Sequence, residues 1–266
     1  MEIKNILNQV TLDEFGKPQG IFAINKPVGM TSHDVVNRIR RRLNTKKVGH
    51  AGALDPFANG IVLILVGNHT KLSDQLMLAK KEYIGRFLFG LSTDTQDTEG
   101  KITEAKSVEL SEDALKSALK SFENGYEQFV SIYSSVKVNG KKLRDLARKS
   151  KKFEITEKDG KRIVSFEMND RIEEVELPKK MIEIFNIELL EIKKILASEL
   201  EFRYEKDLNF VYADIKLEVS KGTYIRQFAE DLGKYLNLPA MLIQLKRTKI
   251  EDIGLDDTKE IDDISL

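Results

Sequence analysis

Asp55 is the residue of this sequence best placed to do chemistry. It lies in Gly49-His50-Ala51-Gly52-Ala53-Leu54-Asp55-Pro56-Phe57-Ala58-Asn59-Gly60, where three glycines and a proline within twelve residues read as a loop. Pro56 keeps the backbone of Asp55 out of the helical region. A carboxylate fixed in this way can serve as a nucleophile, a general base or a metal ligand. It can equally be a turn residue that bonds its own backbone.

Other chemistries leave no trace. The chain has no cysteine, so thiolate nucleophiles, zinc-thiolate sites and disulfides are excluded. The histidines are His33, His50 and His69, and no pair has the close spacing of a zinc or iron motif. No Gly-Lys-Ser or Gly-Lys-Thr marks a phosphate loop, and no Gly-x-Ser-x-Gly marks a serine nucleophile.

The elements that must hold the loop can be read on either side of it. Upstream, Lys26-Pro27-Val28-Gly29-Met30 is a turn, and Thr31-Ser32-His33-Asp34 has capping-box spacing. Val35, Val36, Ile39 and Leu43 then recur at helical intervals, with Arg38, Arg40, Arg41 and Arg42 over much of the remaining surface. Downstream, the apolar run Ile61 to Val66 predicts a strand buried on both faces. Leu115, Ala118, Leu119 and Phe122 mark a helix over 111–122. Val211, Ala213, Ile215, Leu217 and Val219 alternate with polar residues, which predicts a half-buried strand. It runs into a turn at Ser220 to Tyr224, then a helix marked by Ile225, Phe228, Leu232 and Leu236. Mixed strands and helices imply an α+β domain. The charged stretch from Phe153 to Lys180 reads as a hairpin insertion.

Lys plus Arg and Asp plus Glu both number 43, so the formal net charge is zero. The distribution is uneven. Arg38 to Lys47 holds six basic residues and no acidic one, and Lys137 to Lys152 holds eight against Asp145. Glu251 to Leu266 holds seven acidic residues against Lys259. A neutral total can hide a basic face, which is what meets a phosphate backbone. The first twenty residues carry acidic side chains and no long apolar run, unlike a signal peptide. The longest apolar run is too short to span a bilayer, so a cytoplasmic protein with no membrane partner is expected.

The loop at 49–56 resembles the catalytic loop of the TruB family, the tRNA pseudouridine-55 synthases. Six further segments are similar to family motifs and stand in family order. They are Asn25 to Ser32, Lys81-Glu82-Tyr83, Gly90 to Asp97, Ser131 to Lys137 with Gly140-Lys141-Lys142, Ser220 to Arg226, and Leu245-Lys246-Arg247-Thr248. The resemblance runs from about Gly20 to about Ile264. It implies a pseudouridine synthase fold: a mixed, mainly antiparallel sheet flanked by helices, with a thumb insertion at about 131–180 in a single catalytic domain over 1–266. It implies an isomerase that converts uridine 55 in the T-loop of tRNA to pseudouridine. Asp55 matches the catalytic aspartate, and Arg226 the arginine that pairs with it. Tyr83 matches the tyrosine against the target base, and His50 the histidine near the flipped nucleotide. Tyr224 and Leu245 match substrate-contacting positions, and Lys26 with Pro27 a pair that supports the loop. Lys26 is read as bracing the loop or touching RNA.

The implied reaction breaks the C1′–N1 bond of uridine, turns the base and joins C5 to C1′. Nothing is oxidised and no group is added, so no cofactor and no metal are expected. The expected partner is the tRNA T-arm stem-loop, met by a monomer without an obligate protein partner. Three features depart from the family pattern. Val130 stands where proline is usual, the 153–180 region is longer than usual, and a C-terminal PUA-like domain is not expected. A guide-directed synthase, a tRNA-folding chaperone and a nucleoside glycosidase are the competing readings. The intact set of Asp55, Tyr83 and Arg226 favours chemistry over the chaperone, and the basic runs disfavour the glycosidase.

Overall fold

The structure is a computed structural model that describes residues 3–200 and 207–265. Of the sequence-derived ranges, the domain span 1–266 and the acidic tail 251–266 each include positions outside the described residues.

The alternating and continuous apolar runs assemble into one mixed sheet. Its strands lie in the order Thr11–Leu12, Pro18–Lys26, Asn59–Val66, Ala240–Ile250, Lys81–Phe89, Asn209–Val219 and Ile184–Leu196. Val48–Ala51 adds beside Asn59–Val66, and Ile253–Gly254 beside Ala240–Ile250. The strand pairs are antiparallel except one. Asn59–Val66 and Ala240–Ile250 run parallel, with Lys246 opposite Asn59 and Arg247 opposite Gly60. This is the mainly antiparallel α+β arrangement that the sequence predicts.

Asn59–Val66 is buried on both faces because two cores sandwich it. Val62, Ile64 and Val66 pack with Phe22, Val35 and Ile39, while Ile61, Leu63 and Leu65 pack with Ile21, Ala23 and Leu76. The strand therefore anchors the loop that enters it. At the junction, Gly60 has φ +101°, and a Cβ there would meet the Arg247 carbonyl oxygen at 2.2 Å. Only glycine allows that approach of the two parallel strands.

The predicted helix at 31–43 forms as Ser32–Arg42 with a complete capping box: Asp34 N–H donates to Thr31 Oγ1 at 3.0 Å, and Thr31 N–H donates to Asp34 Oδ2 at 2.9 Å. Helices Glu112–Lys120 and Ile225–Tyr235 form at the other two predicted places. The predicted loop is shorter than expected. Gly49, His50 and Ala51 belong to an extended strand, with His50 opposite Ile64. Glycines mark conformational freedom rather than a loop, and the buried strand beside them takes a partner.

A second, smaller core lies in an excursion between Tyr126 and Ile182. Tyr126–Phe129 and Lys179–Ile182 pair antiparallel as its stem. Beyond them come the helix Leu143–Lys149 and a meander of Lys152–Lys158, Lys161–Glu167 and Ile172–Glu176. Phe129, Leu143, Leu146, Val164, Phe166 and Val175 pack together there. The stretch at 153–180 is thus a three-stranded meander with one stem strand, not a simple hairpin. Its outer strands bury few side chains, so their composition hides the pattern.

Candidate active site

The loop is clamped from both sides of Asp55. Ser32, buried at the start of its helix, accepts from Leu54 N–H at 2.8 Å through Oγ. The Asp55 carbonyl accepts from Ala58 N–H at 3.2 Å, and the Pro56 carbonyl accepts from Gly29 N–H at 2.8 Å. Lys26 is fully buried and donates to the carbonyls of Pro27 at 2.8 Å, Met30 at 2.7 Å and Pro56 at 3.5 Å. Burial brings its ammonium down to about 8, against the opposing attraction of Asp55. Arg247, 1% exposed, donates to Ile61 O at 2.6 Å and to Gly52 O at 3.0 Å, joining the strand to the start of the loop.

What these clamps hold in place is a carboxylate met by a fork. Arg226 Nε lies 2.8 Å from Asp55 Oδ2, and its NH2 donates to Oδ1 at 3.2 Å. Two parallel contacts fix the carboxylate in position and in plane. The third guanidinium nitrogen, NH1, lies 3.2 Å from Asp97 Oδ2 and donates to the Thr95 carbonyl at 3.0 Å. Asp97 is 3% exposed. Burial raises its carboxyl above the ordinary range, while Arg226, the Thr95 hydroxyl and the Glu99 N–H pull the other way. The Asp55 side chain keeps 38% exposure, so it remains open to an incoming group.

Asp55 opens into a cleft of about 840 Å³. Tyr83, Leu245, Tyr224, Arg226 and Arg247 share that cleft with it. Tyr83 is 9% exposed, and its hydroxyl accepts from Arg247 NH1 at 3.5 Å. Tyr224 stands at the start of the helix carrying Arg226 and is tied to the stem of the excursion. Its N–H donates to Gln128 Oε1 at 2.8 Å, and its carbonyl accepts from Gln128 Nε2 at 3.2 Å. Arg144 and Lys180 from the excursion and Lys221 from the preceding turn also line the cleft.

Of the predicted residues, Asp55, Tyr83, Tyr224, Arg226 and Leu245 come together. Lys26 sits beneath the loop as a brace, with no surface left for a ligand. His50 sits on the edge strand outside the cleft lining, its Nδ1 buried without a hydrogen-bond partner. Burial and nearby Arg247 lower its pKa. The basic helix is less free than its composition suggests. Arg40 donates to Val48 O at 3.0 Å, and Arg42 pairs with Asp262 and donates to Ile264 O. Sequence reading gave no role to Asp97 or Arg247, although both stand inside the quoted motifs. Arg247 stands in the polar run Lys246-Arg247-Thr248-Lys249, which reads as surface, so nothing local marked it as buried. Among the described residues, no group of three His, Cys, Asp or Glu is arranged to hold a metal ion. No helix among them is long and apolar enough to cross a membrane.

A family model described as TruB family pseudouridylate synthase (N terminal domain) matches residues 40–174. A tRNA pseudouridine synthase B from Alkaliphilus oremlandii is 36% identical over 245 residues, covering 92% of this chain and 69% of that protein. Another from Bacillus licheniformis is 38% identical over 250 residues, covering 92% and 69%. Among solved structures, a Cbf5-Nop10-Gar1 complex matches with a TM-score of 0.55 at 20% identity, covering 94% of this chain and 60% of that one. At that identity the likeness is one of fold.

Proposed function

This chain belongs to the TruB family and is a tRNA pseudouridine synthase, an isomerase, and from that premise we propose that it converts uridine 55 of the tRNA T-loop with Asp55 as the reacting carboxylate. The observation that carries this reading is the Asp55–Arg226 fork in the wall of a cleft of about 840 Å³. The C1′–N1 bond must break and a C5–C1′ bond form, with the C5 proton leaving as N1 gains one. A carboxylate serves at the sugar, at the base or in the proton transfer. Arg226 holds that carboxylate in one orientation, so the reacting oxygen is placed before substrate arrives.

The target uridine must leave its stack to reach Asp55. Tyr83 then offers a ring face for the extruded base. Tyr224 and Leu245 complete the wall, and His50, whose family counterpart occupies space near the flipped nucleotide, stands on the strand that leads into the loop. The excursion at about 131–180 serves as a thumb on the T-arm, with Arg144 and Lys180 facing the phosphates. The same reading has the chain act as a monomer, in the cytoplasm, on its tRNA substrate. The test is to incubate the protein with unmodified tRNA and map pseudouridine at nucleotide resolution. Pseudouridine at position 55 is expected. None, or modification only elsewhere, would overturn the reading.

A further inference from the structure

The strand Lys161–Glu167 turns Arg162, Val164 and Phe166 inward. Arg162 is therefore 2% exposed among apolar neighbours, with its guanidinium over the Phe129 ring at 4.5 Å. An aliphatic side chain would fill that position without the cost of burying a charge. The charge reaches across to the catalytic body. Arg162 NH2 lies 3.2 Å from Glu230 Oε1 and 3.2 Å from Glu157 Oε2, and NH1 donates to Gln227 Oε1 at 3.4 Å.

Gln227 and Glu230 are also gripped from the body side. Gln96 Nε2 donates to Gln227 Oε1 at 2.8 Å and to the Glu230 carboxylate. Gln96 has φ +65°, a left-handed conformation that a non-glycine residue keeps only when its surroundings hold it there. On either side of it stand the two groups that anchor Arg226 NH1: the Thr95 carbonyl and the Asp97 carboxylate. Gln227 itself follows Arg226 on the same helix. A cleft of about 560 Å³ opens beside these contacts, so they bridge a gap rather than sit inside continuous packing.

We propose that Arg162 is a positioning residue: by holding Gln227 and Glu230 together with Gln96, it couples the seating of the excursion on RNA to the placement of Arg226 and hence of Asp55. The inference rests on the reading of Asp55 and Arg226 as the reacting pair. It makes the grip on the T-arm felt at the carboxylate, so that loss of the bridge slows conversion of RNA that is already bound.

The experiment uses the full chain and unmodified tRNA. Single-turnover rates at saturating protein, dissociation constants and thermal midpoints are measured for Arg162→Met, Arg162→Lys, Gln96→Ala and the double variant Arg162→Met with Gln96→Ala. The expected result is a rate loss of about tenfold in Arg162→Met and in Gln96→Ala, with affinity changed less than about threefold. Arg162→Lys recovers most of the rate, and the double variant is no slower than the slower single one, as members of one network behave. Unchanged rates at saturation overturn the proposal, whether or not affinity falls. So do losses that multiply in the double variant. If Arg162→Met loses its thermal transition, Gln96→Ala and Arg162→Lys decide: parental rate in Gln96→Ala overturns the coupling, and a loss there with recovery in Arg162→Lys supports it. A parent that makes no pseudouridine at position 55 contradicts the functional reading instead, so the two failures are distinct.

Discussion

Arg226 Nε stands 2.8 Å from Asp55 Oδ2, although the two are 171 positions apart in sequence. The contact exists because two elements with separate roots are fixed independently. The loop hangs from a strand buried on both faces, and the helix of Arg226 packs its apolar side on the same sheet through Phe228, Ala229 and Leu232. Each element has its own apolar anchorage in the sheet, so the ion pair joins two parts that are rooted separately.

Lys26→Met should separate bracing from substrate contact. The substitution keeps the apolar stem but leaves the carbonyls of Pro27 and Met30 without this donor, while the Pro56 carbonyl keeps Gly29 N–H. A buried acceptor stripped of its partner costs about 1–3 kcal/mol. Denaturant unfolding should show that loss, and single turnover should slow by about tenfold while tRNA affinity holds. Unchanged stability with weakened tRNA binding would mean that Lys26 touches RNA.

Acid should act through Asp97. Burial lifts its carboxyl above the ordinary 3.8, so on acidification it takes up a proton at higher pH than an exposed aspartate. Arg226 NH1 then loses its anionic partner and keeps only the Thr95 carbonyl. The single-turnover rate should fall on the acid side with a midpoint above 3.8. Asp97→Asn, which cannot titrate, should lack that limb and run about tenfold slower at neutral pH. The same acid limb in Asp97→Asn would place the titrating group elsewhere.

How far the sequence reaches depends on the kind of signal. Periodicity found the helices at 32–42, 112–120 and 225–235 and the strand at 209–219, because one buried face imposes a repeat. It missed the meander at 152–176, whose outer strands bury almost nothing and so carry no repeat. The residues around Asp55 were legible only through their motifs, since nothing local to Arg226 announces a partner 171 positions away. The different fates of Arg38 and Arg40 were not legible at all. Both read as basic surface, but Arg38 stays exposed while Arg40 turns back to the Val48 carbonyl, a contact set by where the next strand lies.

Salt dependence should follow position rather than composition. Arg144, Lys180 and Lys221 line the cleft, so neutralising any one should reduce the log–log salt slope of tRNA binding by roughly 0.7–0.9. Arg40→Met should leave the slope alone and lower the thermal midpoint, because Arg40 spends its donors on Asn37 and Val48. Binding titrations across a salt series check both. A flatter slope in Arg40→Met with no change in the cleft variants would put the RNA on the other face.

The most direct test of the account is turnover by Asp55→Asn, read as tritium release from C5-labelled tRNA beside a gel-shift titration on the same preparation. Asparagine is close to isosteric, so the clamps from Ser32, Gly29 and Ala58, which engage backbone groups, remain. Its amide cannot serve as a carboxylate nucleophile or base. tRNA binding should stay within about threefold of the parent, since affinity rests on phosphate contacts and stacking, and no pseudouridine should be detectable. Turnover within about tenfold of the parent, a barrier change of only about 1.4 kcal/mol, would contradict the assignment of Asp55 as the reacting carboxylate.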